Sequence, residues 1–208
     1  SVLTPFRNGE ADILIGTQMI VKGHDFPNVT LVAALAADMS LYAGDYRSSE
    51  RTFELLMQAS GRAGRAEKAG EVVIQTYNPE EYSIQAVAGQ DAEYFYENEL
   101  AFRRLMKYPP YSQMAAILIL SEEENEAKTL SEKLAENIHS VCGDAVTLIG
   151  PSKAGLSRAK DRYRYVLYVK SMDEEAMACV REIAEEANRR VVNQKTCSVQ
   201  YDRDPVNG

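Results

Sequence analysis

The order of strands and helices predicted after residue 110 constrains the fold of this 208-residue chain more than any other feature. Apolar runs of strand length indicate strands there, and apolar residues spaced by three and four indicate helices. The predicted strands are 113–121, 145–150, 162–170 and 196–202, and the predicted helices are 123–142 and 173–191. The resulting order, β-α-β-β-α-β, is that of a ferredoxin-like α+β sandwich.

The first 80 residues have a different pattern, which indicates an α/β fold with a parallel sheet. Three apolar runs there are typical of strands buried on both faces: 11–17, 29–38 and 71–77. A helix that begins near Ser49 is predicted between the second and third runs. Because ligands of parallel sheets collect at the carboxyl ends of the strands, we expect Thr17, Asp38 and Arg62 to lie at one edge.

A helical stretch from about Pro79 to Met106 connects the two regions. The pair Pro109-Pro110 ends it, because proline cannot continue a helix. The predicted organisation is therefore an α/β domain at 1–80, a helical connector at 81–110 and an α+β domain at 111–208.

Composition argues against several classes of protein. The net charge of −8 is unlike the basic footprint of a free-standing nucleic-acid binder. Cys142, Cys179 and Cys197 are far apart in the sequence, which argues against a disulfide framework, and with two histidines they give no zinc-ligand spacing. We therefore predict no metal site.

No apolar stretch is long enough to span a bilayer, and no leader precedes a cleavage site, so we expect a cytoplasmic protein without membrane contact. The chain has no initiator methionine and begins close to its first predicted strand. This start suggests a piece cut from a longer protein.

Two separated motifs carry the functional signal. "GTQMIVKGHDFPNV" (16–29) follows the first predicted strand, and "QASGRAGR" (58–65) ends the predicted helix. A glycine before each arginine lets a ligand approach closely, and two guanidinium groups suit phosphate. Alone, the second motif is equally typical of a helix end, with Gly61 past the C-cap and the arginines against the helix dipole.

Together the motifs, Thr-x5-Gly-x-Asp-x-Pro and Gln-x-x-Gly-Arg-x-Gly-Arg, resemble motifs V and VI of superfamily 2 helicases. The stretches "GEVVIQTYNPE", "RRLMKYPPYS" and "YDRDPVNG" further resemble the PriA (primosomal protein N′) family of bacterial replication-restart DNA helicases. The resemblance covers nearly the whole chain. It implies a truncated RecA-like second helicase lobe followed by the ferredoxin-like domain, as the C-terminal part of a longer protein.

The resemblance implies nucleotide-binding roles for residues of both motifs. Arg62 and Arg65 would reach the γ-phosphate of ATP, with Arg65 as the arginine finger, and Gln58 would orient the phosphates or the finger. Asp25 would accept a hydrogen bond from the ribose, and Gly23 would permit close backbone approach. Alternatively, Gln58 is simply an exposed polar residue of the helix, and Asp25 stabilises a local turn before Pro27.

DNA contacts are implied at Thr17, whose neighbours Gly16 and Gln18 would offer backbone N–H groups to a phosphate of the single strand. The segment 45–51 looks like a family feature that couples the DNA and nucleotide sites. A capped helix start with a local ion pair is the alternative for that segment.

The ferredoxin-like domain carries basic residues in and beside a loop predicted between its second and third strands: Lys153, Arg158, Lys160, Arg162 and Arg164. Tyr163 and Tyr165 alternate with the last two, and basic and aromatic residues together suit single-stranded DNA. Because alternate residues of a strand face opposite sides, these arginines and tyrosines cannot form one platform. A nucleic-acid or partner site and a solvated basic loop both remain open.

The sequence lacks a Gly-x-x-x-x-Gly-Lys-Ser/Thr phosphate loop, so the chain alone is not expected to hold ATP and Mg²⁺ or to hydrolyse ATP. For the longer protein, the resemblance implies an ATP-dependent 3′-to-5′ DNA helicase that acts at stalled forks and helps to load the replicative helicase, with zinc bound only upstream of this chain. Its implied partners are forked and single-stranded DNA, the single-stranded-DNA-binding protein and primosome or helicase-loading proteins. The alternatives are another superfamily 2 translocase and a non-enzymatic DNA- or partner-docking module.

Overall fold

The computed structural model describes most of the chain: residues 3–17, 26, 28–42, 45–63, 70–159, 161–191 and 196–205, without the side chains of 156–159. The chain divides into two compact units, Ser1–Leu100 and Ala101–Gly208. Each unit has its own cluster of buried apolar residues.

The first unit contains a short parallel sheet and several helices. In chain order its elements are α1 (Leu3–Arg7), β1 (Leu31–Ala34), a 3-10 turn (Ala37–Ser40), α2 (Ser48–Ser60), β2 (Glu71–Ile74), α3 (Tyr82–Gly89) and α4 (Ala92–Met106), which continues into the second unit. β1 and β2 pair in parallel from Leu31↔Glu71 to Ala34↔Ile74. The two later strands and the helix between them are therefore confirmed, although both strands are shorter than predicted.

The strand predicted at 11–17 is wrong, because these residues form no strand in the structure. Ile13 is 77% exposed and Ile15 is 88% exposed, so the apolar run has no sheet to join among the described residues. The predicted continuous helix from 79 to 106 is two helices. They are separated at Gln90, which has a left-handed φ of 52°, and at Asp91, whose carboxylate accepts from the Tyr94 backbone N–H at 2.9 Å.

Aromatic stacking forms the centre of the first unit. Phe53 of α2 and Phe95 of α4 stack with ring centroids 4.1 Å apart, and Phe95 is fully buried. Tyr82 of α3 stacks on the other side, 5.9 Å from Phe95, and its hydroxyl donates to Glu99 at 2.6 Å. The inner face of the two-stranded sheet packs against this cluster through Ala34 and Ile74.

The second unit confirms the β-α-β-β-α-β prediction. Its elements are β3 (Gln113–Ser121), α5 (Glu124–Cys142), a 3-10 turn (Gly143–Ala145), β4 (Thr147–Ala159), β5 (Arg162–Ser171), α6 (Glu174–Arg190) and β6 (Cys197–Arg203). The sheet order is β4-β5-β3-β6, and every neighbouring pair is antiparallel. Both helices pack on one face of this sheet, where Ile117 and Leu167 meet Ile138 and Val180.

The loop predicted after residue 150 is wrong. β4 continues through it to Ala159 and forms a long hairpin with β5, paired at Ser152↔Val166 and again at Arg158↔Tyr163. Register shifts after Ile149 and after Lys153 interrupt the alternation, which is why the sequence did not show a strand there.

Candidate functional site

The carboxyl ends of β1 and β2 are fastened together by one buried carboxylate. Asp38, 4% exposed, accepts hydrogen bonds from the Thr76 hydroxyl and from the Tyr77 backbone N–H, the latter at 2.7 Å. These bonds lower the pKa of Asp38 below its ordinary value, with the Thr76 hydroxyl as the largest cause. The backbone N–H of Ala37 also donates to the Gln75 carbonyl at 3.1 Å. These hydrogen bonds hold the segment after β1 beside the segment after β2.

The segment before α2 forms a turn with a local ion pair, and its N-cap residue Arg47 makes no side-chain capping hydrogen bond. Asp45 accepts from the Arg47 backbone N–H at 2.9 Å and pairs with the Arg51 guanidinium at 2.7 Å. The buried Thr52 hydroxyl lies 2.8 Å from Ser40 Oγ, which links α2 to the 3-10 turn that follows β1. These contacts show the local ion pair, and the coupling of DNA and nucleotide sites by this segment stays a prediction.

The end of α2 differs from the helix end expected for a glycine. Gly61 is itself the C-cap, with right-handed φ −67° and ψ −1°, rather than a residue past it with positive φ. A Cβ built on Gly61 would lie 3.5 Å from the Met57 carbonyl oxygen and 3.7 Å from that of Gln58, which is ordinary contact. Among the described residues, neither backbone conformation nor packing requires glycine here.

The predicted site residues of the first unit are only partly described. Gln58 and the pair Gly16 and Thr17 are exposed, and Arg62 is half-buried. The other members lie outside the described residues: Gln18, Gly23, Asp25 and Arg65.

One placement needs correction. Arg62 follows α2 and leads toward the amino end of β2, and Thr17 follows no strand, so only Asp38 lies where a strand's carboxyl end was predicted. The βα connection after β1 and the αβ connection before β2 are at opposite ends of the helix. The assignment of Arg62, Thr17 and Gln58 to nucleotide or DNA stays a prediction.

The predicted basic residues of the second unit are divided between the two faces of the sheet. Tyr165 lies in the helix-side core, and Lys153, its partner in register, forms an ion pair with Glu124 of α5 at 2.5 Å. This pair raises the pKa of Lys153. Arg162 and Arg164 alternate with the core tyrosines and therefore belong to the opposite face. The separation of arginines from tyrosines is confirmed, whereas the side chain of Arg158 and all of Lys160 lie outside the described residues.

A second group of cations was not singled out from the sequence. Lys170 of β5 is 8% exposed, donates from Nζ to the Met106 carbonyl at 2.9 Å, and lies 4.1 Å from the centre of the Tyr108 ring. Arg104 stacks over Tyr111 at 4.8 Å. The stretch "RRLMKYPPYS" contains the basic and aromatic residues of this group apart from Lys170. Met106 and Lys170 are 64 residues apart in the sequence, so their contact could not be predicted from the local pattern.

The cysteines and possible metal ligands were also located. All three cysteines are free. Burial and the neighbouring thiol of Cys179 on α6 raise the pKa of Cys142 on α5 to about 11. The part of the chain that the structure describes has no group of three or more potential metal ligands, and none of its helices is long and apolar enough to cross a membrane.

Comparison with known proteins gives matches over both units. The family model of the helicase conserved C-terminal domain matches residues 1–67, and that of the primosomal protein N C-terminal domain matches residues 104–206. The replication restart protein PriA of Bacillus subtilis is 46% identical over 204 residues, which are 98% of this chain and 25% of that protein.

More distant relatives carry the same name. The replication restart protein PriA of Synechocystis is 42% identical over 82% of this chain and 20% of its own length. That of Borreliella burgdorferi is 31% identical over 98% of this chain and 30% of its own length. The chain thus spans about a quarter of the length of these curated relatives.

Proposed function

The chain belongs to the PriA family of replication restart proteins, and on that premise we propose that it is part of an ATP-dependent 3′-to-5′ DNA helicase. In this proposal it acts in the cytoplasm at stalled forks, where it helps to assemble the primosome. The observation that carries the proposal is the match of the helicase conserved C-terminal domain to residues 1–67, which include both motifs.

The proposed contribution of the first unit is the arginine side of a nucleotide cleft. Arg65, assisted by Arg62, neutralises charge on the transferring phosphoryl group, an effect worth roughly 10³ to 10⁵ in rate in enzymes that use such a finger. Gln58 orients the phosphates, and Gly23 and Asp25 bind the nucleotide. The glycine at 61, which the described fold does not require, supports close approach of a ligand to this loop.

The proposed site residues of this chain would form only the arginine side of the ATP-binding cleft. The sequence has no phosphate loop, so ATP and Mg²⁺ are held mainly by parts of the longer relatives outside the matched quarter. When bound, they supply the phosphoryl group and the charge that activates it. As the family resemblance implies, zinc in the longer protein would be bound upstream of this chain.

DNA binding is proposed for both units. In the first, Thr17 with the backbone of Gly16 and Gln18 contacts a phosphate of the single strand, a contact that positions DNA without reading its sequence. In the second, Arg162 and Arg164 on the face away from the helices contact DNA. Arg158 and Lys160 are further candidates from the sequence. Lys153 is a weaker candidate, because its charge is already paired with Glu124. The single-stranded-DNA-binding protein and helicase-loading proteins are the proposed protein partners.

A chimera tests the proposal. The 208-residue chain would replace the matching segment of the Bacillus subtilis relative, with which it shares 46% identity. We expect DNA-stimulated ATP hydrolysis and 3′-to-5′ strand separation by the chimera, and no ATP hydrolysis by the 208 residues alone.

The same assays separate the alternatives. Stimulation by RNA in place of DNA would favour another superfamily 2 translocase. A chimera that binds forked DNA or the single-stranded-DNA-binding protein but never hydrolyses ATP would favour a docking module.

A further inference from the structure

A basic patch lies where the carboxyl end of α4 meets the carboxyl end of β5, an inner strand of the second unit's sheet. We define the basic patch as Arg104, Lys107 and Lys170 together with the rings of Tyr108 and Tyr111. Lys170 comes from the face of β5 opposite the helices, since its neighbour Val169 lies in the helix-side core. After desolvation by burial, Coulomb repulsion from Lys107 also lowers the pKa of Lys170.

The patch is held in a fixed shape by its own backbone. The Tyr108 N–H donates to the Arg103 carbonyl at 2.8 Å, and the Tyr111 N–H donates to the Tyr108 carbonyl at 3.0 Å. The Ser112 hydroxyl closes the turn on the Lys107 carbonyl at 2.6 Å. Stacking on Tyr111 further restricts the Arg104 guanidinium. A ligand would therefore meet charges that are already positioned.

The charge of the patch is not compensated by carboxylates. Elsewhere in the second unit, cations form ion pairs with glutamates: Lys128, Lys153, Arg181, Arg189, Arg190 and Arg203. By contrast, no carboxylate among the described residues lies within ion-pair distance of Arg104, Lys107 or Lys170. Asp202 and Asp204, on and just after the edge strand β6, which β3 separates from β5, lie beyond that distance as well.

Helix capping accounts for only part of this charge. The carbonyl end of α4 carries about half a negative charge, and Lys170 already satisfies the Met106 carbonyl. Arg104 and Lys107 remain exposed. Lys170 is 8% exposed, so its charge carries a desolvation cost, and this burial lowers its pKa. An anionic ligand would offset that cost.

We propose that the basic patch binds the phosphodiester backbone of single-stranded DNA, with Arg104 and Lys107 donating to phosphate oxygens and Lys170 adding buried positive charge. Guanidinium and ammonium groups form short, charge-assisted hydrogen bonds with phosphate. This inference rests on the proposed helicase function, because that function supplies the single strand.

Fluorescence anisotropy with the whole 208-residue chain tests it, using a labelled oligothymidine of about 20 nucleotides, which exceeds common single-strand site sizes. The test variant is Arg104→Ala with Lys107→Ala. The matched control is Lys128→Ala with Lys133→Ala on α5, which removes the same charge from the same unit. Circular dichroism checks that each variant is folded.

We expect the patch variant to weaken binding about tenfold or more at low salt, and the control to change it less than about twofold. The slope of log K against log salt should fall by about 1.4 in the patch variant, about 0.7 for each lost phosphate contact. Substitution of Lys170→Met should also weaken binding without loss of fold.

Three results would overturn the proposal: equal effects of the two double variants, no binding by the unsubstituted chain, or competition by polyglutamate as strong as by unlabelled oligonucleotide. The first would show diffuse attraction, and the last would show a site for acidic peptides. None of them bears on ATP hydrolysis by the chimera, so the proposed function is tested separately.

Discussion

Replacement of Lys170 by methionine tests whether this buried cation is held for stability or for ligand binding. In the folded chain its ammonium group makes one hydrogen bond to the Met106 carbonyl and one cation–π contact with Tyr108. A charged hydrogen bond contributes about 1.5–3 kcal/mol and a desolvated cation–π contact about 0.5–2 kcal/mol. Against these stand the desolvation of the buried charge and repulsion from Lys107, which lower the pKa of Lys170.

The expected magnitude follows from this balance. Lys170→Met keeps the apolar stem and removes both the favourable contacts and the desolvated charge, so the free energy of unfolding should change by no more than about 1 kcal/mol. Lys170→Ala removes three buried methylene groups as well, at about 0.8 kcal/mol each, and should cost about 2.4 kcal/mol. The methionine variant should therefore be the more stable of the two.

Urea unfolding followed by circular dichroism measures both variants, with hydrogen exchange of β3 and β5 as the local readout. A loss above about 3 kcal/mol in Lys170→Met would match the cost of breaking a required buried charge interaction and would refute this reasoning. Equal losses in the two variants would refute it as well.

Three further predictions concern the rest of the molecule. Because the pKa of Asp38 is lowered in the folded chain, ionised Asp38 stabilises the fold fully above its ordinary pKa of 3.8, and this stabilisation is lost as pH falls through the folded pKa. In Asp38→Asn, the free energy of unfolding should therefore fall less steeply on acidification. An unchanged acid dependence would contradict this. Phe95→Ala, at a fully buried ring, should lower the free energy of unfolding by about 3–5 kcal/mol in urea, and a loss below about 1 kcal/mol would show that the aromatic stack is not the core. Diamide should oxidise Cys142 and Cys179 to a disulfide, with transfer of two hydrogens to the reagent. Peptide mass analysis would detect this disulfide, which should still form in Cys197→Ser. Disulfides that include Cys197 would contradict the proximity of the Cys142 and Cys179 thiols.

The sequence predicted the secondary structure best in the second unit, where strands and helices have strong periodicity and pack against one another. The predicted strand at 113–121 agrees with the observed bounds of β3, and the helix predicted at 123–142 begins one residue later. Both have strong periodicity and pack within a complete sandwich, so their local preferences and their environment agree. The hairpin of β4 and β5 was missed because register shifts remove the alternation that a strand would show.

The first unit was predicted less well for a different reason. An apolar run such as 11–17 indicates a strand only if partner strands are present, and none pairs with it among the described residues. The tie between Asp38 and Thr76 depends on two loops 38 residues apart, and the contact of Lys170 with Met106 spans 64 residues. Such contacts follow from the assembled sheet and have no local signature.

The central claim is that the Gly61–Arg65 loop supplies the arginine side of a nucleotide cleft. Steady-state ATP hydrolysis by the Bacillus subtilis chimera, with and without Arg65→Ala, tests it most directly. The account predicts that kcat falls by roughly 10³ to 10⁵ while KM for ATP and binding of single-stranded DNA change little. An unchanged kcat in Arg65→Ala would contradict it.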